Sequence, residues 1–365
     1  MKNNGRKFQV KIRSGADNRK KLGLWLTFGV SLICVVSMFC GVWMVGDYFL
    51  HRPLNADTPE GTSQEETSKA ETVETPSELR QKQVNILIAG IDAGDARSTN
   101  LTDTLMVANI DMVNDKISIL QIPRDTYVDK AVWTGKINAV YNVGNRDVYG
   151  RGINGLMNCI SDKFKIHLDY YVLVNLEGFR DLVDAMGGVK ISFDEAFTLK
   201  VDGKVWEFKE GEQVLSGKQA EIFVRERNSR GGDLGRVQRG QRVLVAAMIK
   251  QLKSMNKGKL LGMIPTLMEY VKTDVSITDA LSLASTALAM DTSEISFDMV
   301  PGEGVYINGQ SCYTVHLEPL VKVLNEKFRA NMDPIKSGDL GLIEVRNTTN
   351  YYDNNGSTVD DVTGE

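Results

Sequence analysis

The 365-residue chain has few cysteines (four), few histidines (three) and no excess of positive charge, with 43 Lys and Arg against 47 Asp and Glu. Each shortage excludes something. Cys34 and Cys40 fall in an uncharged run, which leaves Cys159 and Cys312 for the remainder. Two thiols in a domain this size do not make a disulfide framework. They are expected to be buried thiols, with pairing in an oxidising compartment as the alternative. His51, His167 and His316 are scattered, and the sequence holds no HExxH, CxxC or Walker A spacing. The common zinc, thiol-redox and P-loop chemistries therefore lack support. The near-neutral balance also lacks the general basic field of a nucleic-acid binder, so nucleic acid is not expected as a partner.

Charge is missing locally as well. Residues 22–46 run for 25 positions without a charged side chain, after a 1–21 segment with eight Lys and Arg against Asp17. A helix of that length rises roughly 37 Å and can cross a hydrocarbon core of about 30 Å. The pattern predicts one transmembrane anchor over 22–50 in the cell membrane. The basic tail 1–21 stays cytoplasmic, and the chain beyond the anchor lies outside the cell. A cleaved signal peptide would have a shorter apolar region and an A-x-A-like site, and a core helix would keep a polar face.

Large apolar residues are scarce over 51–80, which predicts a flexible extracellular stalk. They are scarce again over 333–365, which predicts a disordered C-terminal tail, with LGLIEVRN (340–347) as one candidate strand. The folded part is then 81–332, near the upper limit for a single core.

Within it, β-branched apolar runs predict strands at 83–91, 104–111, 116–123, 170–175, 189–193 and 295–301. The second and third are close enough for a hairpin. Helices are expected over 152–164, over 176–186 before Gly187-Gly188, from Ser216, from 235 to about 254, and over 276–290 and 316–328. This alternation, with an antiparallel hairpin, predicts a three-layer α/β/α sandwich with a mixed central sheet, preceded by one transmembrane helix.

Lysine is absent between Lys218 and Lys250, where six arginines stand: Arg225, Arg227, Arg230, Arg236, Arg239 and Arg242. Arginine presents a planar fork that takes phosphate oxygens bidentately and keeps its charge. Arg225 and Arg227 would share a face of an extended segment, and Arg236 and Arg239 a face of a helix. Asp233 and Gly235 sit where a loop becomes that helix, and helix N-termini attract anions. A phosphate pocket is favoured over a solvated face with Glu221, Glu226 and Asp233 as salt-bridge partners.

Asp92 ends the first strand and Asp103 begins the second. Two such carboxylates suit Mg²⁺, which binds proteins through one or two carboxylates plus phosphate oxygens; capping a turn is the alternative. Arg124 brings another guanidinium to a strand end, where ligands of such sheets gather.

NILIAGID, LTDTLMVANI, QIPRDTYV, KINAVY, LSGKQAEIFVRER and GDLGRVQRGQRVL follow in that order over Asn85–Leu244. Together they resemble the LytR-CpsA-Psr family of membrane-anchored cell-wall enzymes. The resemblance implies phosphotransferase chemistry: a glycopolymer moves from a polyprenyl-pyrophosphate carrier to a peptidoglycan acceptor, and polyprenyl phosphate is released. It assigns Asp92 and Asp103 to Mg²⁺ (or Mn²⁺), and Arg124, Arg225, Arg227 and Arg236 to the pyrophosphate. Asp233 and Arg239 take supporting roles. Two positions depart from the pattern. Leu101 stands where the family carries arginine, and Gly240 where it carries glutamine, so reduced activity is expected unless Arg97, Gln241 or Arg242 compensates. A lipid groove could draw on the aliphatic residues of 172–193, which core packing explains as well. The rival function is a non-catalytic lipid-phosphate-binding or scaffold protein of the envelope. A transcriptional regulator ranks third, because of the topology.

Overall fold

The run QVNILIAGI alternates between two apolar faces and forms a central strand, β1 (Gln83–Ile91). A strand buried on both sides has no polar face to show, which is why the run is almost wholly apolar. The structure, a computed structural model, describes residues 83–92, 101–132, 134–142, 149–225, 234–329, 332–345 and 356–364; of 234–239 it describes only the backbone. The expected anchor and stalk lie outside these residues. Among the described residues, no helix is long and apolar enough to cross a membrane.

β1 pairs antiparallel with β2 (Thr102–Asp111) and parallel with β4 (Tyr170–Asn175). β2 turns back into β3 (Lys116–Gln121), the expected hairpin. Asp111 closes that turn, its Oδ1 accepting the Val113 and Asn114 amides at 3.0 Å each. β10 (Ile295–Met299) lies parallel to β3. Two short strands, β9 (Lys272–Thr273) and β13 (Ser357–Thr358), finish the edges of a mixed seven-stranded sheet, ordered β13-β10-β3-β2-β1-β4-β9. In this order the C-terminal ends of β1, β3, β4 and β10 meet the N-terminal end of β2.

Helices cover both faces. On one, α1 (Gly152–Phe164) and α7 (Leu317–Val323) bury Leu156, Ile160, Phe164 and Leu320 against Leu87, Leu105 and Val107. On the other, α4 (Leu234–Ser254), α6 (Ile277–Ala289) and α8 (Val359–Thr363) pack Ala246, Leu283 and Val359 against Val84, Ile119 and Phe297. Beside this second face stands a lobe of two two-stranded sheets. It pairs β5 (Val189–Phe193) with β8 (Gly211–Leu215), and β6 (Phe197–Val201) with β7 (Lys204–Phe208). The lobe closes over α2 (Leu176–Ala185) and α3 (Gly217–Arg225) through Val183, Phe208 and Ile222.

α2 starts where expected because Asn175 caps it, Oδ1 accepting the Gly178 amide at 2.7 Å. Only glycine fits at 178, since a Cβ would lie 2.1 Å from the Tyr270 carbonyl oxygen. Cys159 and Cys312 are free, buried thiols. Burial pushes the Cys159 thiol up to about 12.

Three expectations need correction. The described parts of the segment from 333, residues 333–345 and 356–364, do not leave the fold: Leu340 and Leu342 are buried in the core, and β13 and α8 complete the sheet edge with Val359 fully buried. A handful of apolar residues suffices there because the sheet edge and α4 supply the rest of the contact surface. LGLIEVRN forms no strand over its described part, 340–345. Thr314 holds it instead, Oγ1 donating to the Ile343 carbonyl and accepting the Val345 amide at 2.9 Å each. Helix 316–328 divides into α7 and a π-helical turn, Leu324–Phe328. Unanticipated are α5 (Lys257–Met268) and a hairpin of β11 (Gly302–Ile307) and β12 (Gln310–Val315). That hairpin turns on Asn308-Gly309, both at positive φ, a local signal for such turns.

Candidate active site

Strand alternation alone would turn Asp103 toward α1, with Leu105 and Val107. The register with β1 shifts instead: Gly90 pairs with Thr104 and Ile91 with Thr102, so Asp103 is the extra residue of a β-bulge. The bulge re-aims its carboxylate, and Asp103 joins Thr104 and Met106 along a cavity of about 410 Å³ between the sheet, α2, α3 and α4. The interior of this cavity is apolar, built from Ile88, Met106, Val172, Val174, Phe179, Leu182, Val224, Leu244 and Met248. Its polar residues are Asp92, Asp103, Thr104, Arg124 and Asn175 at the strand ends, with Arg225 at the end of α3 and Gln241 on α4.

Arg124, Gln241 and Arg225 each have a fixed seat. Arg124, just after β3, donates from Nη1 to Asp103 Oδ1 at 2.5 Å. Its Nε lies 3.5 Å from Asp125 Oδ2, and Lys136 Nζ donates to the other oxygen of Asp125 at 2.9 Å. Gln241 ties α4 to the sheet, accepting from Gln121 Nε2 at 2.9 Å and donating to Thr104 Oγ1 at 3.0 Å. Gln241, Leu244, Val245 and Met248 follow helical spacing, so one stripe of α4 faces the cavity. Arg225 is the last residue of α3 and donates to Glu221 Oε1 at 2.7 Å. Burial would lower the Arg225 pKa, but Glu221 and the charge of Asp92 raise it overall. Burial likewise opposes the charge on Glu221, yet hydrogen bonds from Lys218 and Arg225 hold its carboxyl below the usual range.

A model of the LytR_cpsA_psr family matches residues 53–329. The chain belongs to that family. It is 30% identical over 322 residues to a protein of Oceanobacillus iheyensis named polyisoprenyl-teichoic acid–peptidoglycan teichoic acid transferase TagU, covering 86% of this chain and 96% of that one. It is 27% identical to TagV of Bacillus subtilis, named for the same transfer, over 83% of this chain and 78% of that one. The crystal structure of B. subtilis TagV superposes with a TM-score of 0.59 at 28% identity, covering 70% of this chain and 99% of that one.

Of the nine residues singled out in the sequence, the family fold gathers Asp92, Asp103, Arg124, Arg225 and Gln241 around one cavity. Arg227 and Asp233 lie outside the described residues, as does Arg97. Arg236 and Arg239 belong to α4, of whose side chains there nothing is described. Three details differ from expectation. Arg225 is helical rather than extended. Leu101, where the family's arginine would stand, packs against the core under α1 and does not line the cavity that the bulged Asp103 lines. Arg242 is buried and does not line it either.

Sequence reasoning counted Glu221 only as a surface partner, although its side chain is 1% exposed. A carboxylate among apolar neighbours on the inner face of an amphipathic helix was the available signal. Asp92 and Asp103 are the residues that could hold a divalent cation. No group of three or more His, Cys, Asp or Glu among the described residues could do so on protein ligands alone.

Proposed function

We propose that this chain is a phosphotransferase that moves a glycopolymer from a polyprenyl-pyrophosphate carrier to peptidoglycan. The observation that carries it is the joining of two chemistries in one cavity: an apolar interior of about 410 Å³ and a mouth of two carboxylates and two guanidinium groups. Each buried CH₂ of a lipid contributes about 0.8 kcal/mol, so the interior selects a prenyl chain and leaves its diphosphate at the mouth. Arg124 and Arg225 then offer forks to phosphate oxygens, and phosphoryl transfer asks a protein mainly for positioning and charge stabilisation. An acceptor hydroxyl oxygen forms the new bond to the glycan-bearing phosphorus. The bond from that phosphorus to the bridging oxygen breaks, polyprenyl phosphate leaves, and the hydroxyl proton passes to solvent.

The donor set fits Mg²⁺ (or Mn²⁺): Asp92 and Asp103, at neighbouring strand ends, would hold it together with phosphate oxygens and water. Bound there, the ion would neutralise charge on the diphosphate. Asp103 is shared between this role and Arg124, so the two cations are coupled through one carboxylate. The uncharged run 22–46 and its basic flank support an anchored enzyme, acting outside the cell at the membrane surface where such carriers present their head groups. Slower turnover than in a relative with glutamine at position 240 is part of the proposal, since Gly240 presents no side chain beside Gln241.

The test is single-turnover release of polyprenyl phosphate from a lipid-linked glycan, with peptidoglycan and with Mg²⁺ added or chelated. Binding of the lipid without any release would leave the non-catalytic envelope protein as the better description.

A further inference from the structure

Lys136, Asp125, Arg124 and Asp103 form a line of alternating charge that starts behind the cavity mouth and ends in it. Lys136 Nζ donates to Asp125 Oδ1 at 2.9 Å, Arg124 Nε lies 3.5 Å from Asp125 Oδ2, and Arg124 Nη1 donates to Asp103 Oδ1 at 2.5 Å. Exposure falls away from the mouth. The side chains of Asp103 and Arg124 are 36% and 27% exposed, those of Asp125 and Lys136 16% and 18%. Asp103 and Arg124 line the cavity, whereas Asp125 and Lys136 do not. Two side chains outside the cavity thus hold one that lines it.

The backbone under this line is clamped on both sides. On one, the Tyr313 amide of β12 donates to the Asp125 carbonyl and the Tyr127 amide to the Tyr313 carbonyl, each at 2.8 Å. On the other, the Asn138 amide donates to the Arg124 carbonyl at 3.2 Å and the Ile137 amide to the Thr126 carbonyl at 2.8 Å. The β11–β12 hairpin therefore braces the segment that carries Arg124. With the main chain held, what can vary is how the guanidinium divides its donors between two carboxylates.

That division is unequal. Arg124 makes a short charge-assisted bond to Asp103 and stands farther from Asp125, which Lys136 already neutralises from the other side. Asp103 is also one of the two carboxylates that would hold a divalent cation. A guanidinium leaning on Asp103 opposes that cation, because both draw on one negative charge. Whatever Asp125 takes of Arg124 is returned to Asp103.

We infer that Asp125 and Lys136 are positioning residues which set, through Arg124, how strongly Asp103 binds the metal. The inference rests on the transferase reading and its assignment of a cation to Asp92 and Asp103. Its signs follow from the line. Asp125→Asn removes the competing carboxylate, leaves Arg124 wholly to Asp103 and weakens cation binding. Lys136→Met frees Asp125 to draw Arg124 toward itself and strengthens cation binding. Simple removal of charge would give the same two signs, but the effects would add and cancel in the double variant. Acting through Arg124, Lys136 has no effect once Asp125 is gone, so the double variant matches Asp125→Asn alone.

The experiment measures Mn²⁺ binding to the full chain without lipid, by electron paramagnetic resonance. It compares wild type, Asp125→Asn, Lys136→Met, the double variant, and Asp103→Asn as the control for the site. Thermal unfolding verifies that each is folded; Asp125→Ser or Lys136→Gln replaces a single variant that is not. Asp125→Asn is expected to weaken Mn²⁺ about 3- to 10-fold, Lys136→Met to tighten it by a similar factor, and the double variant to match the first. A double variant near wild type would overturn the inference, as would single variants that leave the affinity unchanged or move it the same way. Equal Mn²⁺ binding by Asp103→Asn would overturn it too, by placing the cation elsewhere. Release of polyprenyl phosphate is assayed separately. Opposed shifts in Mn²⁺ affinity without release would keep the inference and sink the transferase reading; release with Mn²⁺ affinity indifferent to both substitutions would do the reverse.

Discussion

Arg124 bridges two carboxylates that belong to different chain segments, donating to Asp103 from Nη1 at 2.5 Å while its Nε lies 3.5 Å from Asp125. The planar fork makes this possible, and it fixes the guanidinium across the cavity mouth before any phosphate arrives.

Arg124→Lys keeps the charge and loses the fork. A single ammonium cannot face both carboxylates and still present donors to the diphosphate. Single-turnover transfer is expected to fall by roughly 10²–10³. Stability should change by less than about 1 kcal/mol, because the pair is partly exposed. A rate near that of wild type would remove Arg124 from the machinery.

The cavity can be filled without touching the mouth. Val174 lies on β4 with its side chain on the lining, in parallel register with Gly90. Val174→Trp is expected to abolish binding of a long prenyl carrier while a carrier with one short prenyl unit retains measurable affinity. Isothermal titration with carriers of graded length checks this. Equal loss at every length would mean the tryptophan disturbs the mouth rather than the interior.

Glu221 makes stability depend on pH in a defined direction. Its carboxyl lies below the ordinary value of 4.5 despite burial, because Lys218, Arg225 and Arg180 favour the charged form. The ion cluster thus contributes stability above that value, and the contribution is lost as pH falls through the lower folded value. Glu221→Gln should be less stable near neutrality and should show a flatter stability profile than wild type below 4.5. Urea unfolding from about pH 3 to 7 measures both. A variant with the same acid slope as wild type would show that other carboxylates set it.

Most of the sheet was legible because its strands are short β-branched runs with turn signals between them. The helices announced themselves through caps such as Asn175 and the Gly187-Gly188 stop. Asp92, Asp103, Arg124 and Arg225 could be nominated from strand ends and an arginine-only stretch, and Gln241 through the family resemblance. Two things were not legible. The bulge at Asp103 depends on how β1 and β2 pair, which no local pattern of residues 101–105 declares. The role of the C-terminal segment depends on contacts with residues far away in sequence: Gly356 donates to Phe297 O and to Asp298 Oδ1 at 3.1 Å each. Composition reported only that this segment is polar.

That segment should therefore matter to stability although it lies beyond the family match. Val359 is fully buried against the core under α4, and Asp298, itself fully buried, accepts from Lys327 at 2.8 and 2.9 Å. Val359→Ala removes the equivalent of two methylenes, about 2 kcal/mol with the cavity left behind. Removing residues 356–365 should cost more and lower the melting temperature further. Thermal unfolding unchanged by either would return the segment to the status of a loose tail.

The two departures from the family pattern should behave differently from each other. Gly240 lies within α4, and a Cβ built there meets only Phe223 Cζ, at 4.0 Å. There is room for a side chain, and glycine inside a helix costs about 0.5–1 kcal/mol relative to alanine. Gly240→Gln is expected to raise stability by a similar amount, with its amide beside Gln241 at the mouth, and to raise the transfer rate. Leu101 lies on the far side of the bulge and packs against the core under α1. Leu101→Arg must withdraw that contact and bring a charge past the bulge before it can reach a phosphate, so it is expected to cost about 1–2 kcal/mol and to leave turnover no faster. Single-turnover rates and melting temperatures of the two variants decide it. A faster Leu101→Arg enzyme with an undiminished melting temperature would mean that the bulge does not direct position 101 away from the mouth.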